Sequence, residues 1–112
     1  MAQASEVSKA GLILYNTQLV VDDLPCVAED WDGWNEDIQA DFTLEWMALM
    51  TNLTYVLDRV VSGRASTDET SAYEKLQADL RASAPILRTL GLHVRPELLQ
   101  DLAPSAGRRA SA

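Results

Sequence analysis

Residues 35–63, NEDIQADFTLEWMALMTNLTYVLDRVVSG, decide the fold. Asn35 is a good N-cap, because its side-chain oxygen can accept from a free amide of the first turn. Glu36 and Asp37 suit the positive end of a helix dipole. Ile38, Phe42, Trp46, Leu49, Leu53, Val56 and Val60 then recur at spacings of three and four, the signature of one helical face. Met47, Met50, Leu57 and Val61 widen that stripe. Gly63 suits the left-handed position that ends a helix. The spacing predicts a helix of about 27 residues, near 40 Å long at ~1.5 Å per residue.

Downstream, Ser66 and Glu69 form a capping box, S-x-x-E. Tyr73, Leu76, Leu80, Leu87 and Leu90 line the next face, with Ala84 as a close-contact position. Pro85 falls inside this pattern. It removes one backbone donor, and the expectation is a kink rather than an end, because Ile86, Leu87 and Leu90 keep the period. Gly91 terminates the helix, and Pro96 opens a short fourth one through Leu98, Leu99 and Leu102. Residues 104–112, with Gly107, Arg108 and Arg109, read as a disordered tail to a single helical domain over 1–103.

Upstream, Val7, Ala10, Leu14, Thr17, Val21 and Leu24 fit a helical stripe, flanked by Leu12, Ile13, Leu19 and Val20. A strand over Leu12–Tyr15 would have no second strand to pair with. The expected helix ends near Leu24-Pro25, and an acidic linker runs from Pro25 to Trp34. The segment is apolar over more of its circumference than a surface helix needs, which points to burial between two subunits. The fold expected is all-α: a small bundle of three main helices plus a short C-terminal helix, as a dimer.

Bulk properties narrow the function. The chain has 112 residues, 47% of them hydrophobic, enough for one domain with its own core. Cys26 is the single cysteine, so no intrachain disulfide and no cysteine-based zinc site can form. Its nearest charges are Asp22, Asp23, Glu29 and Asp30, which raise a thiol pKa; an inert or buried thiol is expected. No stretch is long and apolar enough to cross a bilayer, and Met1 to Lys9 lacks the basic region of a signal peptide, so a cytoplasmic location is expected.

Net charge is −8. Between Lys9 and Arg59 there is no Lys or Arg, while the same interval holds Asp22, Asp23, Glu29, Asp30, Asp32, Glu36, Asp37, Asp41, Glu45 and Asp58. Phosphates need a basic footprint, so direct nucleic-acid binding is disfavoured. A basic partner fits better; the plainer alternative is that the acids keep the chain soluble.

Motifs for chemistry are sparse. Asp30-Trp31-Asp32-Gly33 contains part of a calcium-loop pattern, but with Gly33 at loop position 6 the first and twelfth positions are Ala28 and Gln39, where carboxylates are required. Asp37, Asp41 and Glu45 form an i, i+4, i+8 column. A carboxylate-bridged metal pair in a bundle also needs Glu-x-x-His, and the single histidine, His93, is not in one. Neither a metal nor a cofactor is expected. For acid–base work the only candidates are His93, read as an exposed turn residue, and Glu45, read as buried and paired with Arg59, Arg81 or Arg88. No nucleophile motif or phosphate loop is present, so an enzyme is not the favoured reading.

Trp31 and Trp34 lie in the acidic linker and admit two readings: caps on the bundle end, or anchors for a partner, since Trp is enriched at binding hot spots. The order Trp34, Phe42, Glu45, Trp46, Gly63, Tyr73, Leu76, Pro85, Leu87, Leu90, Gly91, Leu92, Pro96 resembles small uncharacterised helical proteins of high-GC bacteria. The resemblance covers residues 31–96 and implies no activity.

Two functions compete. The first is a protein-interaction or regulatory module that presents Trp31, Trp34, Asp30, Asp32, Asp37 and Asp41 to a basic protein. The second is a ligand-binding protein or enzyme with an apolar pocket lined by Trp46, Met47, Met50 and Tyr73.

Overall fold

The computed structural model describes residues 8–102. Val7 and the expected tail over 104–112 lie outside the described residues. Among the described residues 82% are helical and none is in a strand. Four α-helices run α1 Lys9–Asp30, α2 Glu36–Val61, α3 Thr67–Ala82 and α4 Ala84–Leu90, with single 3-10 turns at Trp31–Gly33 and Pro96–Leu99.

The caps follow the sequence signals. The Asn35 side chain accepts from the Ile38 amide at 2.9 Å and starts α2. Gly63 (φ 80°) closes it, with the Arg64 amide reaching back to the Arg59 carbonyl at 2.8 Å. Ser66 and Glu69 exchange both capping-box bonds at the start of α3. Gly91 (φ 74°) ends α4 in the same way as Gly63 ends α2, with Leu92 N–H to the Leu87 carbonyl at 2.9 Å.

Three expectations fail. First, α1 does not stop at Leu24-Pro25; Pro25 lies inside it and the helix runs on to Asp30. A proline within a helix costs about 3 kcal/mol. Here the turn beyond it is held by Val27, which is buried, and by Ala28 and Trp31, which pack on the core. Second, Pro85 parts the expected third helix in two: α3 ends at Ala82, Ser83 intervenes, and Pro85 sits in the first turn of α4. The ring leaves no amide for the Arg81 carbonyl, and the small residues of the junction, Ala82, Ser83 and Ala84, offer little packing to offset that. Third, the segment after Pro96 makes only one 3-10 turn and does not reach Leu102.

Helices α1 and α2 form an antiparallel hairpin. Lys9 lies 4.5 Å from the Tyr55 ring centroid at one end, while Leu19 and Phe42 share a groove towards the other. Helix α1 packs on both α2 and α3, which touch each other less. The core runs through Leu14, Val21, Leu24, Trp46, Leu53, Val56, Tyr73, Leu76, Leu80, Leu87 and Leu98. The molecule measures 51 × 38 × 18 Å. Leu14 and Val21, whose segment was expected between subunits, are buried inside the chain. Of the widened stripe on α2, Met50 is buried, whereas Met47 and Val61 are exposed, and so is Ile38 at the helix start.

Candidate functional site

The tip of the α1–α2 hairpin gathers the residues that the acidic linker supplied. Trp31 opens the 3-10 turn, and the Trp34 amide closes it on the Trp31 carbonyl at 3.1 Å. The Gln39 side-chain amide donates to that same carbonyl at 2.7 Å, tying the turn to the first turns of α2. This folds Trp31 and Trp34 against Phe42, each with its ring centroid 6.0 Å from that of Phe42 and 5.8 Å from that of the other tryptophan, in tilted and edge-on geometries that aromatic quadrupoles favour. Both tryptophans are half-buried on the core edge. The trio caps the end of the hairpin.

Around this cap the carboxylates face water. Asp30, Asp32, Asp37 and Asp41 are all exposed, as are Asp22, Asp23, Glu29 and Glu36. Glu45 is exposed too, against expectation, and makes no ion pair among the described residues. Its position beside Phe42 and Trp46 in sequence suggested burial, but one step around a helix turns a side chain by about 100°, and that step takes Glu45 out of the core. Like charges four apart on one helix cost on the order of 0.2–0.5 kcal/mol per pair, so Asp37, Asp41 and Glu45 work against their own helix. The ion pairs lie elsewhere: Arg64–Asp58, Lys75–Asp79 and Arg81–Asp101. Among the described residues no group of three or more His, Cys, Asp or Glu is placed to hold a metal ion. Cys26 is exposed on α1.

The expected pocket residues separate. Trp46, Met47 and Met50 line an open hollow of about 300 Å³ with Thr43, Thr51 and the Gly91–Arg95 segment. Trp46 is buried, and its indole N–H donates to the His93 carbonyl at 2.9 Å, which fixes the floor. His93 itself is exposed. Tyr73 does not belong to this hollow. Its hydroxyl donates to the Leu98 carbonyl at 2.9 Å in the core, and burial pushes its pKa up to about 12.

Several polar residues that the pattern did not single out hold the helices together. Gln77 is buried in α3 and donates to the carbonyls of Leu98 and Gln100 at 2.9 and 2.8 Å, anchoring the Pro96–Leu99 turn. The Arg81 guanidinium also donates to the Leu99 carbonyl. Ser8 caps α1 and its hydroxyl donates a hydrogen bond to the Glu69 carboxylate at 2.5 Å, so the capping box of α3 also ties down the start of α1. That hydrogen bond, then the Ser66 amide, lowers the Glu69 pKa. The hydrogen bonds from Lys75, then from Gln18, lower that of Asp79. The sequence pattern, which runs the first stripe back to Val7, passes over Ser8 as a cap. Gln77 carried no signal, because its partners are 21 and 23 residues away.

No helix is long and apolar enough to cross a membrane among the described residues. Comparison with protein-family models, with curated proteins and with solved structures finds no match.

Proposed function

We propose that this protein is an interaction module whose acidic hairpin tip docks a basic surface on another protein, and that the chain works as a homodimer. The observation that carries the reading is the interval between Lys9 and Arg59, free of Lys and Arg, folded so that the carboxylates of the tip stand in water and form no ion pair among the described residues. A field of one sign steers an oppositely charged partner and repels phosphates. The partner's cations would relieve the repulsion along Asp37, Asp41 and Glu45. The Trp31–Trp34–Phe42 cap gives those carboxylates a rigid base.

Affinity capture from the source cells, comparing the wild-type chain with an Asp37→Lys/Asp41→Lys variant, tests this. The expected result is a basic protein held by the wild type and released as salt rises from 0.1 to 1 M, where the screening length falls from about 10 to about 3 Å. The variant should lose it, mainly through a slower on-rate. Equal capture by both chains would overturn the reading.

The second reading, a ligand pocket, draws on the hollow over Trp46. At about 300 Å³ it is at the lower limit of small-molecule sites, and it stands open to water. Quenching of Trp46 fluorescence by an apolar carboxylate such as decanoate, lost in Met47→Glu, an exposed position of the same hollow, would favour it over the interaction module.

A further inference from the structure

The outer side of the α1–α2 hairpin carries apolar side chains that the fold leaves uncovered. Leu12 and Leu19 on α1 are 50% and 51% exposed, and Leu44 and Tyr55 on α2 are 63% and 37% exposed. On each helix these residues lie opposite the buried stripe, which takes in Leu14 and Val21 on α1 and Trp46, Leu53 and Val56 on α2. They therefore share the broad side of the hairpin that faces away from α3. Four side chains of this size leave on the order of 400 Å² of apolar surface in water, the size of the largest apolar patch on a typical monomer, which is often functional.

The hairpin is polarised along its length. Its tip is acidic throughout. Its base carries Lys9, Arg59 and Arg64 against Asp58, with Asp68 and Glu69 in the adjoining first turn of α3, so the charges around it balance. Lys9 lies over the Tyr55 ring and forms no ion pair among the described residues.

We infer that this face pairs with the same face of a second copy, in an antiparallel two-fold arrangement that sets each acidic tip over the neutral, lysine-bearing base of the other hairpin. The inference rests on the homodimer reading above and names its surface and orientation. The area fits. Two helices about 30 Å long and about 10 Å apart offer a footprint on the order of 600 Å², close to the roughly 800 Å² per partner of a standard stable interface. The charge fits one orientation only. Parallel pairing would stack two sets of tip carboxylates, a like-charge juxtaposition costing several kcal/mol. Antiparallel pairing avoids it, brings Lys9 within reach of a partner's carboxylates, and leaves the two tips at opposite ends of the dimer, each with its aromatic cap. A two-fold axis also makes the contact closed, so pairing stops at two.

Sedimentation equilibrium from 1 to 100 μM, with circular dichroism on the same samples, reads the result. The wild-type chain should approach twice 12.3 kDa. Leu19→Glu and Leu44→Glu should each weaken association at least ten-fold and keep the helical signal, because both positions are already in water. Cys26, the single cysteine, reports orientation through a nitroxide label. Cys26 lies about ten residues from the centre of the α1 patch, so antiparallel copies should hold their labels roughly 30 Å apart at ~1.5 Å per residue. A monomer at every concentration would remove the homodimer reading and this surface together. A dimer untouched by both glutamates, with helicity intact, would remove the surface alone. A label separation under about 15 Å would overturn the antiparallel orientation.

Discussion

Helix α1 carries the same residue types on its two sides, with opposite fates. Leu14, Val21 and Leu24 are within a few per cent of complete burial, packed on α2 and α3, while Leu12 and Leu19, one or two positions away, stand half in water. All are strong hydrophobes; the spacing puts Leu14, Val21 and Leu24 in one stripe with Leu12 and Leu19 on its flanks, but it does not say what covers either side. What separates them is the position of α3 and of Trp46, both far away in sequence. The lesson is that excess apolar circumference in a helix does not say which residues meet the chain's own core and which wait for another molecule.

The sharpest way to break this comparison is to put a charge on each side. Leu14→Asp or Val21→Asp places an unpaired carboxylate in the core, which several kcal/mol of stability cannot absorb. The expected outcome is loss of the helical circular dichroism signal, not a folded monomer. Leu24→Ala, at a fully buried position, should cost about 2–5 kcal/mol in urea unfolding. Leu19→Ala at the same temperature and at a concentration that keeps the chain monomeric should stay within about 0.5 kcal/mol of wild type, as exposed substitutions do. Equal costs at Leu24 and Leu19 would erase the distinction between the faces.

The tip offers a smaller effect. Trp34→Ala removes one ring of a half-buried trio and should cost about 1–2 kcal/mol, less than the 3–5 of a fully buried aromatic, read as a lower melting temperature. If binding of the basic partner survives once the variant is folded, Trp34 is a cap. If the off-rate rises with stability unchanged, it is an anchor.

Smaller still are the effects of single hydrogen bonds. Tyr73→Phe gives up the donation to the Leu98 carbonyl and should cost about 1 kcal/mol, moderated because Gln77 still donates to that oxygen. Burial of the same hydroxyl sets an alkaline limit. The Tyr73 pKa is raised in the folded state from 10.0 to about 12, so the folded chain holds its proton more tightly than the unfolded one. The stabilisation is complete below pH 10 and drains away as pH rises from 10 towards 12. Unfolding titrations over that range should show a loss that Tyr73→Phe lacks. Glu69 and Asp79 act with the opposite sign. Their folded pKa values are lowered, so their contribution is complete above the ordinary carboxylate pKa of about 4 and is lost as pH falls through the lowered values. Glu69→Gln should flatten part of that acid limb.

How far the sequence could be read depends on the range of the interaction involved. Asn35, Gly63, Ser66 and Gly91 act on backbone groups within about four residues, so their roles as caps were legible in advance and the helix ends they mark are where they were expected. Trp46, Leu53, Tyr73, Leu76 and Leu80 were legible as core because each sits in the middle of a periodic stripe. The acidic tip was legible in part: the run of carboxylates is a property of the sequence, but that Glu45 joins them in water depends on where the α2 stripe is centred. The pocket was not legible, because Tyr73 and Trp46 are both core residues and only the packing of the Gly91–Leu99 segment puts them in different places.

The sequence by itself determined the helical class, the caps that begin and end most helices, and the charge asymmetry between the two halves of the chain. These rest on backbone chemistry and side-chain periodicity, which act within a turn or two. The tertiary structure decided the rest. It kept α1 helical through Pro25, since the burial of Val27 and the packing of Trp31 that offset a lost hydrogen bond exist only once α2 has folded back. It buried Ile13, which the spacing puts on a flank, and joined Gln77 to Leu98 across 21 residues. It left the outer leucines of the hairpin in water. Burial is a property of neighbours, and the neighbours of α1 are set by the packing of α2 and α3, which no local pattern encodes.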